Sequence, residues 1–301
     1  VNKKLVAGII LVSFFFLIAL FGSWLAPYSL DDREKTYYNI DEGTIFAPPL
    51  PPSSEHLLGT DKNGYDMLTK LLNGAKFTIV TSIVVAFFRI LIGAIIGIML
   101  GIRSEKKSRS FLSIAWGAIP TFLIVYVLLK PINIQFESKE LSYKILAITI
   151  IIFILVGIPS IVGNFRDRTR IIMKNEYINA AKILGANSTS IMRKHIFPHL
   201  KESIITLFVT EIVLVLTLYG QLGLFDLFIG GTVMYFDPPD YYSITNEWAG
   251  LIGQYRMFIY STRWIVLGPI FSFLMLILSF QLLSDGLRDY YKEKLNSNSY
   301  I

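Results

Sequence analysis

Residues 5–26 form an uninterrupted run of 22 positions without a charged side chain. A helix needs roughly 20 such residues to cross the hydrocarbon core of a bilayer. Comparable apolar runs recur at 77–102, broken only by Arg89, and at 110–129, 145–163, 203–225 and 264–284. Inside lipid every backbone N–H and C=O must find a partner within the protein, which for runs of this length means helices. The expectation is an all-α polytopic membrane protein with six transmembrane helices. The first run follows Val1-Asn2-Lys3-Lys4 and superficially resembles a secretory signal. It is longer than the about 7–15 residues of a signal core, so it reads as an uncleaved anchor.

An even number of spans puts both termini on one side, and the basic residues say which. Lys and Arg outnumber acids in the N-terminal segment, the 103–109 loop and the 164–202 loop and equal them in the tail, whereas acids outnumber bases across the other three connections taken together. Cytoplasmic loops carry that excess, so both termini and the 164–202 loop are expected in the cytoplasm. The same bias accounts for the net charge of +6, which needs no nucleic-acid partner. No cysteine is present, which excludes disulfide and thiol chemistry. The chain then divides into an anchor and extracytoplasmic segment (1–76), a membrane core (77–290) and a cytoplasmic tail (291–301). The first connection contains Pro48-Pro49-Leu50-Pro51-Pro52, expected to be extended as polyproline II.

The 174–200 stretch is polar and basic between two apolar runs. Tyr177, Ala181 and Leu184 share a face at helical spacing, Asn179 and Lys182 point elsewhere, and Gly185 suits a helix C-terminal cap. Asn187 or Ser188 can cap a second helix carrying Ile191, Met192, His195 and Ile196 on one side, with Pro198 expected to stop it. Two short helices around a glycine elbow form an object that another protein can grip.

Within the spans, Arg89 and Glu211 each cost about 2.5–3.5 kcal/mol at mid-helix, so each should face protein or water. They either pair structurally or line a pathway. Gly93, Gly97 and Gly101 form a ladder suited to close helix packing, within the subunit or with a partner. Thr60 or Asp61 can cap a short helix on the outer surface. Asp61, Asn63 and Asp66 suggest a calcium loop, but an EF-hand needs Glu at position twelve, where Leu72 stands. His195 and His199 are four apart with Pro198 between them and no following carboxylate, so a zinc-protease helix is not indicated. Neither a Walker A loop nor a Gly-x-Ser-x-Gly elbow occurs, so the chain is expected not to be an enzyme.

Three regions resemble one family. Ala180-Ala181, Gly185 and Ile196-Phe197-Pro198 match the "EAA loop" of ABC importer permeases, with Asn179 where the first residue is usually acidic. Leu58-Gly59-Thr60-Asp61, Gly64, Asp66 and Leu71 to Ala75 resemble the segment preceding the second span in the oligopeptide, dipeptide and nickel branch. Glu247-Trp248-Ala249-Gly250-Leu251 and Asp285-Gly286-Leu287-Arg288-Asp289 resemble its C-terminal third, where Gly286 can end the last helix and Arg288 anchor it at the headgroups. After the fifth span the sequence departs from the family in a longer, Tyr-rich segment reaching Tyr242.

The resemblance implies a type I ABC importer permease fold with a cytoplasmic coupling helix, in a bacterial plasma membrane. It implies a second permease subunit, two ABC ATPase subunits that use ATP and Mg, and an extracytoplasmic solute-binding protein, with no cofactor or metal bound by this chain. The cargo would be an oligopeptide or a related solute such as a nickel chelate. ATPase coupling would fall to Glu176, Tyr177, Asn179, Ala180, Ala181, Leu184, Gly185 and Pro198, with Glu176 the candidate for a charge that Asn179 does not supply. The rivals are an ion-driven carrier or channel, which would use Arg89 and Glu211, and a non-transporting scaffold or sensor that binds a partner through the exposed loop. Neither explains all three matched regions.

Overall fold

A computed structural model describes residues 2–39, 44–103, 119–136, 143–236 and 239–298. Among these residues five helices are long and apolar enough to cross a membrane. They are α1 (Lys3–Leu25), α2 (Met67–Arg103), α4 (Tyr143–Met173), the run ending in α7 (Phe197–Leu224), and α9 (Trp264–Asn298). A shorter apolar helix, α3 (Thr121–Asn133), stands where the end of the third span was expected. The six-span count is therefore not reproduced as such. The 103–109 loop and the start of the third span lie largely outside the described residues.

The helices overrun their apolar limits. α2 begins ten residues before the expected Phe77, because Asp66 caps it: Thr69 N donates to Asp66 Oδ2 at 2.7 Å. The expected separate outer helix capped by Thr60 or Asp61 is thus the first turns of α2 itself. α3 carries Lys130 and Pro131, placed in a loop by the sequence reading. Lys130 Nζ reaches back to Tyr126 Oη at 2.9 Å, and Asn133 anchors the helix end by donating to the Phe228 carbonyl at 2.9 Å. α4 continues past Gly163 to Met173, with Pro159 inside it. α9 continues through Gly286 to Asn298, so Gly286 does not end it. A Cβ there would lie 2.5 Å from Leu5 Cα, as one on Gly8 would lie 2.6 Å from Leu283 Cα. These glycines let the backbones of α1 and α9 touch.

Lys4 Nζ meets Asp289 Oδ2 at 3.2 Å, so the start of α1 and the tail of α9 share one end of the molecule. The 174–200 stretch lies at that end too, hereafter the loop end. The glycine ladder of α2 packs within the subunit. Cβ atoms on Gly93, Gly97 and Gly101 would lie 2.5, 2.7 and 2.5 Å from atoms of Ile161, Val162 and Thr169 on α4.

The opposite end is not purely helical. β1 (Tyr37–Asn39) and β2 (Thr44–Phe46) pair antiparallel, and β3 (Ile134–Phe136) lies parallel to β4 (Thr232–Phe236), which forms a hairpin with β5 (Pro239–Ser243). The hairpin occupies the Tyr-rich segment, and residues 237 and 238 between its strands lie outside the described residues. α8 (Trp248–Tyr255) tucks between α2 and α7: Trp248 Nε1 donates to the Leu71 carbonyl at 2.8 Å, and its N–H to Thr78 Oγ1 at 2.9 Å. The proline stretch is not continuous polyproline II. The backbone bends at 48, 49 and 52, and Leu50 is fixed through Thr60, whose N–H donates to the Leu50 carbonyl.

Asp61 and Asp66 spend their oxygens inside this hairpin end. Asp61 Oδ2 accepts from Lys70 Nζ at 2.5 Å and Tyr255 Oη at 2.6 Å. Burial alone would raise the Asp61 pKa, but the Lys70 ammonium and these hydrogen bonds hold it below its usual value. Asp66 Oδ1 meets His56 Nδ1 at 2.9 Å.

Candidate functional site

Two features carry functional potential: the loop-end helices and a cavity in the membrane core. α5 (Glu176–Ile183) is followed by a turn in which Ala186 N donates to the Ala181 carbonyl and Gly185 N to the Lys182 carbonyl, each at 3.0 Å. This is a Schellman ending, and Gly185 supplies its left-handed residue at φ +84°. Asn187 Oδ1 accepts from Ser190 N at 2.8 Å and caps α6 (Ser188–Ile191).

Pro198 does not stop the second helix. A π-helical turn, Met192–Ile196, links α6 directly to α7, and Phe197 N donates to the Met192 carbonyl five residues back. Pro198 then falls in the first turn of α7, where a missing N–H is tolerated. The elbow therefore continues as unbroken helix on its α7 side, and the chain turns at Gly185.

α5 touches the rest of the protein chiefly through one residue. Ile178 is fully buried in a cluster with Ile90, Ile98 and Phe165 of the spans and with Ile191, Ile196 and Leu200. The sequence reading did not single out Ile178. Its signal was an apolar residue three before Ala181, about 100° around the helix from Tyr177. Tyr177, Asn179 and Ala180 face solvent, Ala181 is half-buried, and Glu176 is exposed in the first turn. At the tip Ile183 and Leu184 are 86% and 87% exposed. Tyr177 leans on His195 and His199, with ring centroids 5.9 and 6.1 Å apart.

Arg89 and Glu211 are paired. Arg89 Nη1 donates to Glu211 Oε1 at 2.6 Å, while Nε and Nη2 donate to the Phe153 carbonyl at 2.8 and 2.6 Å. The guanidinium fills the notch left by Gly157, where a Cβ would lie 2.2 Å from Arg89 Nε. One side chain thus joins α2, α4 and α7. The pair also borders a cavity of about 890 Å³, whose polar lining includes Ser160, Asn164, Thr217 and Gln221 and whose wall includes Pro120 and Phe122. Of the two roles that the sequence left open, the structure shows the pairing, and the pair borders this cavity.

Among the described residues no cluster of three or more His, Asp or Glu could hold a metal ion. What the site offers is an exposed apolar tip on a short helix clamped to membrane spans, beneath a polar-lined cavity.

That combination defines a polytopic membrane protein with an exposed, apolar-tipped loop. Residues 89–296 match the family model described as the inner membrane component of binding-protein-dependent transport systems, and the chain belongs to this family. Residues 1–52 match the N-terminal transmembrane domain of oligopeptide transport permease C. The chain is 28% identical to the dipeptide transport system permease protein DppC of Alkalihalophilus pseudofirmus, over 98% of this chain and 88% of that protein. It is 27% identical to DppC of Escherichia coli, over 98% and 90%. It is 25% identical to the glutathione transport system permease protein GsiD of Pectobacterium atrosepticum, over 97% and 87%. The chain is thus a multi-pass membrane component of a transport system, with the type I ABC permease fold.

Proposed function

We propose that this chain is one of two permease subunits of an ATP-driven importer for short peptides or glutathione-like solutes, and that its loop end faces the cytoplasm. The peptide assignment draws on the relatives' named substrates, and the orientation on the basic residues gathered at the loop end. A second permease would complete the pathway beside the cavity that Arg89 and Glu211 border. A solute-binding protein would deliver cargo at the hairpin end, and two ATPase subunits would use ATP and Mg at the loop end.

The observation that carries the mechanical part is the exposed Ile183–Leu184 tip on a helix held by Ile178. An apolar tip this exposed is suited to a groove on an ATPase subunit. Glu176, Tyr177, Asn179 and Ala180 present the polar rim of that contact, and Glu176 supplies the negative charge that Asn179 lacks. Motion of the ATPase passes through Ile178 to α2 and α4, and through the unbroken α6–α7 run, with Pro198 inside its first turn, to the Glu211 helix. Ala181 and the Gly185 turn keep the tip's angle.

The test is peptide uptake into vesicles holding the assembled transporter, with ATP supplied on the loop-end side. Gly185→Pro and Ala181→Glu should abolish ATP-dependent uptake while the chain remains in the membrane. Uptake at the wild-type rate in both variants would refute the docking role. Uptake independent of ATP would refute the ATP-driven reading.

A further inference from the structure

A second opening lies at the loop end between α4, α7 and α9, with a volume of about 320 Å³. Its α7 wall runs from Ser203 through Thr206 and Leu207 to Thr210, inside the apolar run, and Arg168, Arg288 and Lys292 line its mouth. The apolar runs of α4 and α9 end at 163 and 284, so the three cations stand roughly one to two turns beyond them, at headgroup depth.

The mouth is organised rather than a chance gathering of surface charge. Arg168 Nε donates to Asn164 Oδ1 and Nη1 to Ser203 Oγ, both at 2.7 Å, which fixes the guanidinium between α4 and α7. Arg288 and Lys292 are four residues apart and so share one face of α9. Glu202 also lines the opening, and Asp285 lies 3.7 Å from Arg288, so three cations oppose two acids. Positive-inside bias explains basic residues in each loop. It does not explain their convergence on one groove that continues to hydrocarbon depth.

We propose that this groove binds the phosphate headgroup of an anionic phospholipid, with an acyl chain lying along Leu207. Basic pockets between helices at a membrane surface suit that chemistry. The proposal requires only that the chain spans a bilayer and does not depend on ATPase docking or on peptide cargo.

The experiment titrates the purified full-length chain, with its co-purifying subunits, against phosphatidylglycerol, phosphatidylcholine and inorganic phosphate. Retained lipid is read by native mass spectrometry. Phosphatidylglycerol should bind about tenfold or more tightly than phosphatidylcholine, and Arg168→Gln with Arg288→Gln should weaken it about tenfold. Glu202→Gln, which removes an acid, should tighten it. That opposite sign, with Lys292→Gln weakening binding, decides the matter if the double variant fails to fold. Equal binding of the two lipids, or unchanged phosphatidylglycerol binding in all the variants, overturns the proposal. Full displacement of phosphatidylglycerol by millimolar inorganic phosphate would show a free-anion site and overturn the lipid assignment.

Discussion

The two ends of the molecule solve opposite problems. The hairpin end buries charge: Asp61, Lys70 and Tyr255 close on one another, and Glu247 caps α8 from a fully buried position, accepting from Ala249 N at 2.9 Å. The loop end exposes apolar surface: Ile183 and Leu184 project beyond a helix tied down by Ile178. Buried polar networks hold one geometry, because any displacement leaves a group unsatisfied in a low dielectric. A short helix on a single apolar anchor can be pushed and can return. Under the proposed docking role, the difference assigns a fixed frame to one end and a moving part to the other.

The largest effect should come from breaking the fixed end. Asp61→Ala removes the carboxylate facing the Lys70 ammonium and should cost about 3–5 kcal/mol, read as a fall in the detergent melting temperature. A melting temperature equal to wild type would mean that the network does not hold this end. At the moving end, Ile178→Ala should cost about 3 kcal/mol locally. Proteolysis within 174–200 should rise while the hairpin end stays protected, and protection lost at both ends would erase the contrast.

Acidity probes the fixed end separately. Burial raises the Glu247 pKa from 4.5 to about 7, against the hydrogen bonds from Ile229, Ala249 and Gly250 N–H groups. The folded protein therefore binds this proton more tightly than the unfolded chain. The contribution is fully present below pH 4.5 and is lost as pH rises through about 7, with a total of about 3 kcal/mol. Glu247→Gln should flatten that part of the stability profile between those values. A profile with the same slope in the variant would refute this source.

Smaller effects belong to the tip. Gly185→Ala places a Cβ at φ +84° and should cost about 1 kcal/mol, measurable by urea unfolding of the loop end. Ile183→Ser with Leu184→Ser should change stability by less than about 0.5 kcal/mol, because both side chains are already in solvent. ATPase recovery on affinity purification should nevertheless collapse. Full recovery would show that the tip is not the docking element.

Much of this was legible beforehand. The apolar runs predicted the membrane helices, since bilayer thickness sets a length that sequence displays directly. Gly185 and Asn187 were readable as caps, because capping is local chemistry. Helix ends within polar sequence were less legible: α2, α4 and α9 each extend beyond their hydropathy limits, where capping and packing rather than lipid decide. Pro198 was misread for a related reason. A π turn ending at Ile196 leaves Pro198 in the first turn of α7, where its missing N–H is tolerated, and no local rule announces that turn.

The sequence by itself determined a polytopic helical chain with a basic, glycine-hinged loop of the importer-permease type, because hydropathy, charge bias and turn chemistry are properties of short stretches. Tertiary structure alone decided three matters: that Arg89 and Glu211, 122 positions apart, bond to one another beside a cavity; that the glycine ladder serves α4 rather than a partner; and that Ile178 rather than Tyr177 or Leu184 holds α5. Each depends on which faces of distant helices meet, and that is set by the packing of the whole bundle.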